Sequence, residues 1–147
     1  MTPTAAADFS TEEAAKLAKL SIDRVVDWDK TGFLRASIPP PRRGISRRYT
    51  FRDIVALRVA SELRGRGVSL QLLRTVVEYL RVREGLSATE VLARTNLVTD
   101  GERVYEVTGE VTIHVPSGQR MMVHVTIPLD QVVSEVQRRA RTLRRAA

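Results

Sequence analysis

Arginine carries the clearest chemistry in this sequence. Residues 35–83 hold twelve (35, 42, 43, 47, 48, 52, 58, 64, 66, 74, 81 and 83) against Asp53, Glu62 and Glu78, a net +9 that exceeds the +7 of the whole chain. A planar guanidinium presents a fork of donors that suits phosphates and base edges better than an ammonium does, and Lys occurs only at 16, 19 and 30. The tail adds Arg138, Arg139, Arg141, Arg144 and Arg145. Charge in such blocks makes a directional field that draws in a polyanion. Other reactive types are scarce. With no cysteine, disulfides, thiolate metal sites and cysteine nucleophiles are all excluded. His114 and His124 fall on the polar face of a proposed hairpin without a nearby Cys, Asp or Glu as third ligand, so they read as surface histidines. There is no nucleophile elbow, no phosphate-binding glycine loop and no helix-spaced pair of carboxylates. The expectation is a binding protein rather than an enzyme, with no cofactor and no metal.

The elements that position these arginines are legible from their punctuation. Ser10-Thr11-Glu12-Glu13 is a capping box that opens a short helix with Ala14, Leu17 and Ala18 on one face. Lys19-Leu20 turns, and Ser21 caps a second helix over Ile22 to Lys30, with Ile22, Val25, Val26 and Trp28 available for burial. Gly32 stands where a helix end needs a left-handed residue. Two short helices joined by about three residues have helix-turn-helix spacing. The segment from Ile38 to Tyr49 is too proline-rich for helix and reads as a hairpin or wing. Thr50 with Asp53 caps a third helix from Phe51 to about Arg64, and Ser69 caps a fourth from Leu70 to about Arg83.

Past Gly85 the pattern changes. Ser87-Ala88-Thr89-Glu90 caps one more short helix, and then period-two alternation predicts strands over 104–107, 111–115 and 121–127. Pro116-Ser117-Gly118-Gln119 is the turn of the last pair, which sets Val115 opposite Met121, Ile113 opposite Val123 and Val111 opposite Val125. Asp130 to Arg145 forms a terminal helix with Leu129, Val132, Val133, Val136, Ala140 and Leu143 on one stripe, to be buried on the sheet, a second copy or another protein.

The stretch from Phe9 to Leu80 resembles the DNA-binding domain of the MerR family. The resemblance rests on Ala14, Ala15 and Leu17, Ser21, Trp28-Asp29, Gly32-Phe33-Leu34, Arg47-Arg48-Tyr49 with Asp53, and Arg64-Gly65-Arg66-Gly67-Val68-Ser69-Leu70. It implies that the helix from Ser21 to Lys30 enters the major groove while the wing grips phosphates. The implied contact residues are Ser21, Arg24, Arg42, Arg43, Arg47, Arg48 and Tyr49. For Arg47 and Arg48 the structural alternative is an ion pair with Asp53 or another nearby carboxylate, for Tyr49 a place in the core, and Trp28 reads as core. Where the family usually has Arg and Tyr before the Trp, this chain has Val26 and Asp27. Between 21 and 30 it counts two positive residues against three negative, an acidic reading helix that shifts affinity toward the wing and Arg24. No long dimerising helix is visible. Instead residues 98–140 are similar to the strand-and-helix domain of certain antitoxins, on Asp100-Gly101, Val104-Tyr105, Ser117-Gly118-Gln119 and Leu129-Asp130.

At 147 residues, 43% hydrophobic and 28% charged, the chain fits ordinary globular composition. No apolar run approaches the roughly 20 residues of a membrane span. The first ten residues lack a basic segment followed by an apolar one, so a cytoplasmic protein is expected. The expected fold is α+β: a MerR-like winged helix-turn-helix over residues 8–85, then over 86–147 a small antiparallel β-meander and an amphipathic helix for dimerisation or partner binding. The expected partner is double-stranded DNA, bound as an operator by a homodimer, with an antitoxin that masks a toxin or other protein as the alternative.

Overall fold

The computed structural model describes residues 8–40, 42, 47–99, 103–108, 111–115 and 129–146. Helix α1 (Thr11–Ala18) starts at Ser10, whose Oγ accepts from the Glu13 amide while Glu13 accepts from the Ser10 amide. That reciprocal cap satisfies two amides that a helix start otherwise leaves unpaired. Lys19 closes the helix in the left-handed region at φ 59°, and Ser21 caps α2 (Ile22–Lys30) by accepting from the Arg24 amide at 3.1 Å. Gly32 ends this unit at φ +80°, and a Cβ there would stand 3.0 Å from the Arg35 guanidinium. The backbone conformation therefore calls for glycine, while the exposed Arg35 side chain could move aside.

The proline-rich segment is a hairpin stem, as expected for a wing. Ile38 and Arg48 exchange both backbone hydrogen bonds, at 2.9 and 3.2 Å. Strand β1 (Asp8–Phe9), which the sequence pattern does not announce, pairs antiparallel with β2 (Tyr49–Thr50), setting Phe9 opposite Tyr49. The wing tip, residues 41 and 43–46 with Arg43 among them, lies outside the described residues.

Helix α3 (Phe51–Gly65) is the centre of the molecule. Every residue from 53 to 60 is buried, the signature of a helix enclosed on all sides rather than packed by one stripe. Around it stand α1, α4 (Leu70–Glu84), α5 (Ala88–Arg94) and α6 (Leu129–Ala146). Ser69 and Ser87 cap α4 and α5 through their hydroxyls, and Gly85 ends α4 in the left-handed region. One apolar core runs from Phe9 to Ala140, so α5 and α6 share it with the helix-turn-helix. Trp28 and Phe33 meet edge-on within it at 5.3 Å, a geometry worth about 0.5–1.5 kcal/mol beyond burial alone.

Two sequence expectations change here. The α6 stripe is buried at Val132, Val136 and Ala140 against α1 and α3 of the same chain. The reason is electrostatic as well as apolar, because Glu135 beside that stripe pairs with Arg58 on α3. The meander is present but begins earlier in the chain: β3 (Leu97–Thr99), β4 (Val104–Thr108) and β5 (Val111–Val115) form an antiparallel sheet in that order. Val98 lies opposite Tyr105, and Glu106 opposite Ile113. Three residues are too few for alternation to reveal β3. The strand expected over 121–127, its turn at 116–119, its pairings with 111–115 and His124 lie outside the described residues.

Candidate nucleic-acid interface

Helix α2 turns Val25, Trp28 and Asp29 inward, which places Trp28 in the core as expected. Ile22, expected to be buried, is 47% exposed, and Val26 is only half-buried. The interior beneath α2 is already filled by Val25, Trp28 and the Phe33 ring. At the start of the helix, Lys19, Ser21, Arg24, Trp28 and Arg64 line one cleft. Arg24 is half-buried with its guanidinium 5.7 Å above the Trp28 ring. Trp28 Nε1 is buried with no hydrogen-bond partner among the described residues. Three cations and a helix start make this cleft chemically suited to an anion. Ser21, whose hydroxyl is engaged as the cap, positions the helix.

Two buried carboxylates fasten the wing to the helices. Asp29 accepts from the Ala36 amide at 2.9 Å and from Arg47 Nε at 2.7 Å. Asp53 accepts from the amides of Ser37 and Thr50, each at 2.9 Å, and from the Ser37 hydroxyl. Asp53 is thus occupied by backbone and hydroxyl donors, and the arginines find other carboxylates: Arg47 takes Asp29, and Arg48 takes Asp8 at 2.7 Å. This also revises the charge of the reading helix. One of its three acids is buried and neutralised by Arg47, which leaves Asp23 and Asp27 on the exposed arc near Lys30 and Arg24.

The remaining contact candidates separate. Arg42 is exposed at the wing, Arg47 and Arg48 remain 49% and 39% exposed while paired, and Arg43 is outside the described residues. Tyr49 is in the core at 1% exposure. Its hydroxyl is pushed up to about 12, chiefly by burial and next by Asp29, so it stays a neutral phenol. It supports the wing from beneath and is not part of the exposed surface.

The fold also recruits two arginines that were counted in the basic block but not singled out. Exposed Arg74 on α4 lies with its guanidinium 5.5 Å over the Phe33 ring and donates to the Thr31 hydroxyl at 3.4 Å, beside the end of α2. Exposed Arg35 folds over Gly32 at the same end. No sequence spacing links residues 35 and 74, since only the packing of α4 on Phe33 brings them together. Among the described residues no group of three or more His, Asp or Glu could hold a metal ion, and no helix is long and apolar enough to cross a membrane.

Residues 9–80 match the family model described as MerR HTH family regulatory protein. Uncharacterised HTH-type transcriptional regulators from Mycobacterium tuberculosis and Mycobacterium bovis are 32% identical to the chain over 96 residues, 65% of this chain and 41% of theirs. The chain therefore spans about two fifths of the length of these curated relatives.

Proposed function

On the premise that residues 9–80 are a MerR-family helix-turn-helix domain, we propose that the protein is a cytoplasmic DNA-binding transcriptional regulator that binds an operator as a homodimer. The observation that carries this reading is the arrangement of cations around the exposed arc of α2. Lys19, Arg24 and Arg64 stand at its start, Arg35 and Arg74 at its end, and Arg42, Arg47 and Arg48 along the wing. Phosphates of a duplex flank the groove in the same way, and such contacts orient a reading helix without specifying sequence. The regulator names of the mycobacterial relatives agree with it.

Wing binding is an exchange of partners. In the free chain Arg48 is held by Asp8, both half-exposed, a pair worth about 0–1 kcal/mol, whereas Arg47 neutralises the buried Asp29 carboxylate. A phosphate can replace Asp8 on Arg48 at small cost while Asp8 turns to water, and Arg47, half-exposed, can meet a second phosphate without leaving Asp29. The ion pairs hold both side chains in place beforehand, which limits the entropy lost on binding. Tyr49, Asp29 and Asp53 hold the wing at its angle to α2. The protein acts by binding alone, with no catalytic step and no cofactor.

A single nine-residue reading helix is a small element for operator affinity, and two-fold repetition supplies the rest. With the α6 stripe occupied inside the chain, the β3–β5 sheet is the face we assign to the second copy. An antitoxin role would likewise need its partner surface away from that stripe. The test is fluorescence anisotropy with duplex from the protein's own promoter region against random duplex at about 150 mM salt, with sedimentation velocity alongside. Preference for the promoter duplex and a two-to-one protein–DNA complex are expected. Equal affinity for both duplexes would overturn the regulator reading, and a one-to-one complex would overturn the dimer.

A further inference from the structure

The exposed arc of α2 has a chemistry of its own, distinct from the cations around it. At about 100° per residue, Ile22, Val26, Lys30, Asp23 and Asp27 follow one another across the arc, from the side of Asp29 and the wing to the side of Arg24. Ile22 and Val26 are one turn apart and form an apolar stripe open to water. Asp23 and Asp27, also one turn apart and exposed, form an acidic stripe, and neither has an ion-pair partner among the described residues. Nothing in the packing requires either stripe, since the interior side of the helix is complete without them. They are also a poor match to a phosphate, which repels the one and gains nothing from the other.

They do match base edges of one kind. In the major groove the apolar group is the thymine methyl, and cytosine's own contribution is an amine, a donor that a carboxylate can take. Purines present N7 acceptors, and guanine O6 as well, which repel a carboxylate. We propose that α2 reads a pyrimidine-rich strand, with Ile22 and Val26 against thymine methyls and Asp23 and Asp27 accepting from cytosine amines; this rests on the DNA-binding reading above. The acids then act as a filter. Away from cytosine they oppose the phosphate attraction of the flanking arginines, so discrimination comes partly from rejecting the wrong duplex.

The experiment is a selection from random duplexes with the wild-type chain, followed by affinity measurements on the selected site. Half-sites with clustered T and C on one strand are expected. Replacing dT by deoxyuridine, which removes only the methyl, should weaken binding about fourfold per contacted base. Ile22→Ala with Val26→Ala should bind the thymine and uracil sites equally. Asp27→Asn should bind random duplex more tightly than wild type while separating selected from random duplex less well. A sequence preference that ignores both the uracil exchange and the Ile22/Val26 change overturns this base chemistry and leaves the regulator reading intact. Absence of any preference between selected and random duplex overturns the regulator reading itself. Circular dichroism melts of each variant identify any that fails to fold, and the uracil exchange needs no variant.

Discussion

Arg58 in the core and Arg48 on the wing make ion pairs of nearly equal length and opposite consequence. Arg58 is 2% exposed, donates to Glu62 and Glu135 at 2.9 Å each, and reaches the Leu17 carbonyl at 3.4 Å. It ties α3 to α1 and α6 at once. Arg48 holds Asp8 at 2.7 Å with both partners half in water. Where water is excluded, a charge stripped of its partner has nowhere to go. Where water is present, one anion replaces another at little cost. The difference shows that arginine content alone does not mark a nucleic-acid surface: within one basic block, burial separates the fastener from the contact.

The largest effect should come from breaking the buried set. Glu135→Ala leaves Arg58 facing Glu62 alone and should cost about 3 kcal/mol of folding free energy, at the lower end for opening a buried pair because Glu135 is itself partly exposed. The melting temperature should fall on the order of 10 °C. At a temperature where the variant remains folded, its salt dependence of DNA binding should match wild type. A loss under about 1 kcal/mol in urea denaturation would mean that the α6 clasp is no stronger than a surface pair.

The wing should show the reverse pattern. Arg42→Ala with Arg48→Ala should weaken duplex binding at least about tenfold and flatten the slope of log affinity against log salt by about two, one per phosphate released. Stability should change by less than about 1 kcal/mol. Anisotropy titrations across a salt series give both DNA quantities. A slope equal to wild type would remove the wing from the interface and leave its ion pairs as structural.

Much of this division was hidden from the sequence for identifiable reasons. Caps at Ser10, Ser21, Thr50, Ser69 and Ser87 are local hydrogen-bond chemistry, and all five helix starts were legible. Gly32 was readable because its backbone conformation excludes most other residues. Arg58 was not distinguishable from its neighbours, since its burial depends on Glu135, 77 positions away. Asp53 was an expected partner for the wing arginines, but the amides of Ser37 and Thr50 claim it first. Ile22 fits a core pattern by spacing and is left outside because Val25 and Trp28 already fill the space. Local signals set where elements begin, and long-range competition for partners set which charges remain available.

Acid titration distinguishes the same two classes without touching the wing. The hydrogen bond from Arg58 lowers the Glu135 pKa, with partial burial opposing it. Because the folded value lies below the unfolded one near 4.3, this carboxylate stabilises the fold above about pH 4.3 and that contribution is lost as pH falls through the folded value. Glu135→Gln should therefore lower stability at neutral pH and flatten its decline below about pH 4.3. Glu78 is also lowered, by the hydrogen bond from Arg81, but it is fully in solvent. Glu78→Gln should flatten the profile much less, because solvent screens that pair. Equal flattening by the two variants would erase the distinction between buried and surface pairs.

The smallest effect sits where the two regions meet. Lys19 holds a left-handed conformation at φ 59°, pairs with Glu135 across 3.5 Å at 50% exposure, and lines the cleft at the start of α2. A non-glycine residue in that conformation costs roughly 1–2 kcal/mol, of which glycine gives back about 0.5–1 through its looser unfolded chain. The ion pair lost with Lys19 is exposed and contributes a few tenths of a kcal/mol, by the measure of such surface pairs. Lys19→Gly should therefore raise stability by about 0.5 kcal/mol, read as a higher urea midpoint at unchanged slope. The same change removes one cation from the cleft and should reduce duplex affinity by a few fold with a salt slope shallower by about one. Stability and affinity moving in opposite directions would show that Lys19 is kept at this turn for its charge. If both fell together, Lys19 would belong with Arg58 as part of the clasp.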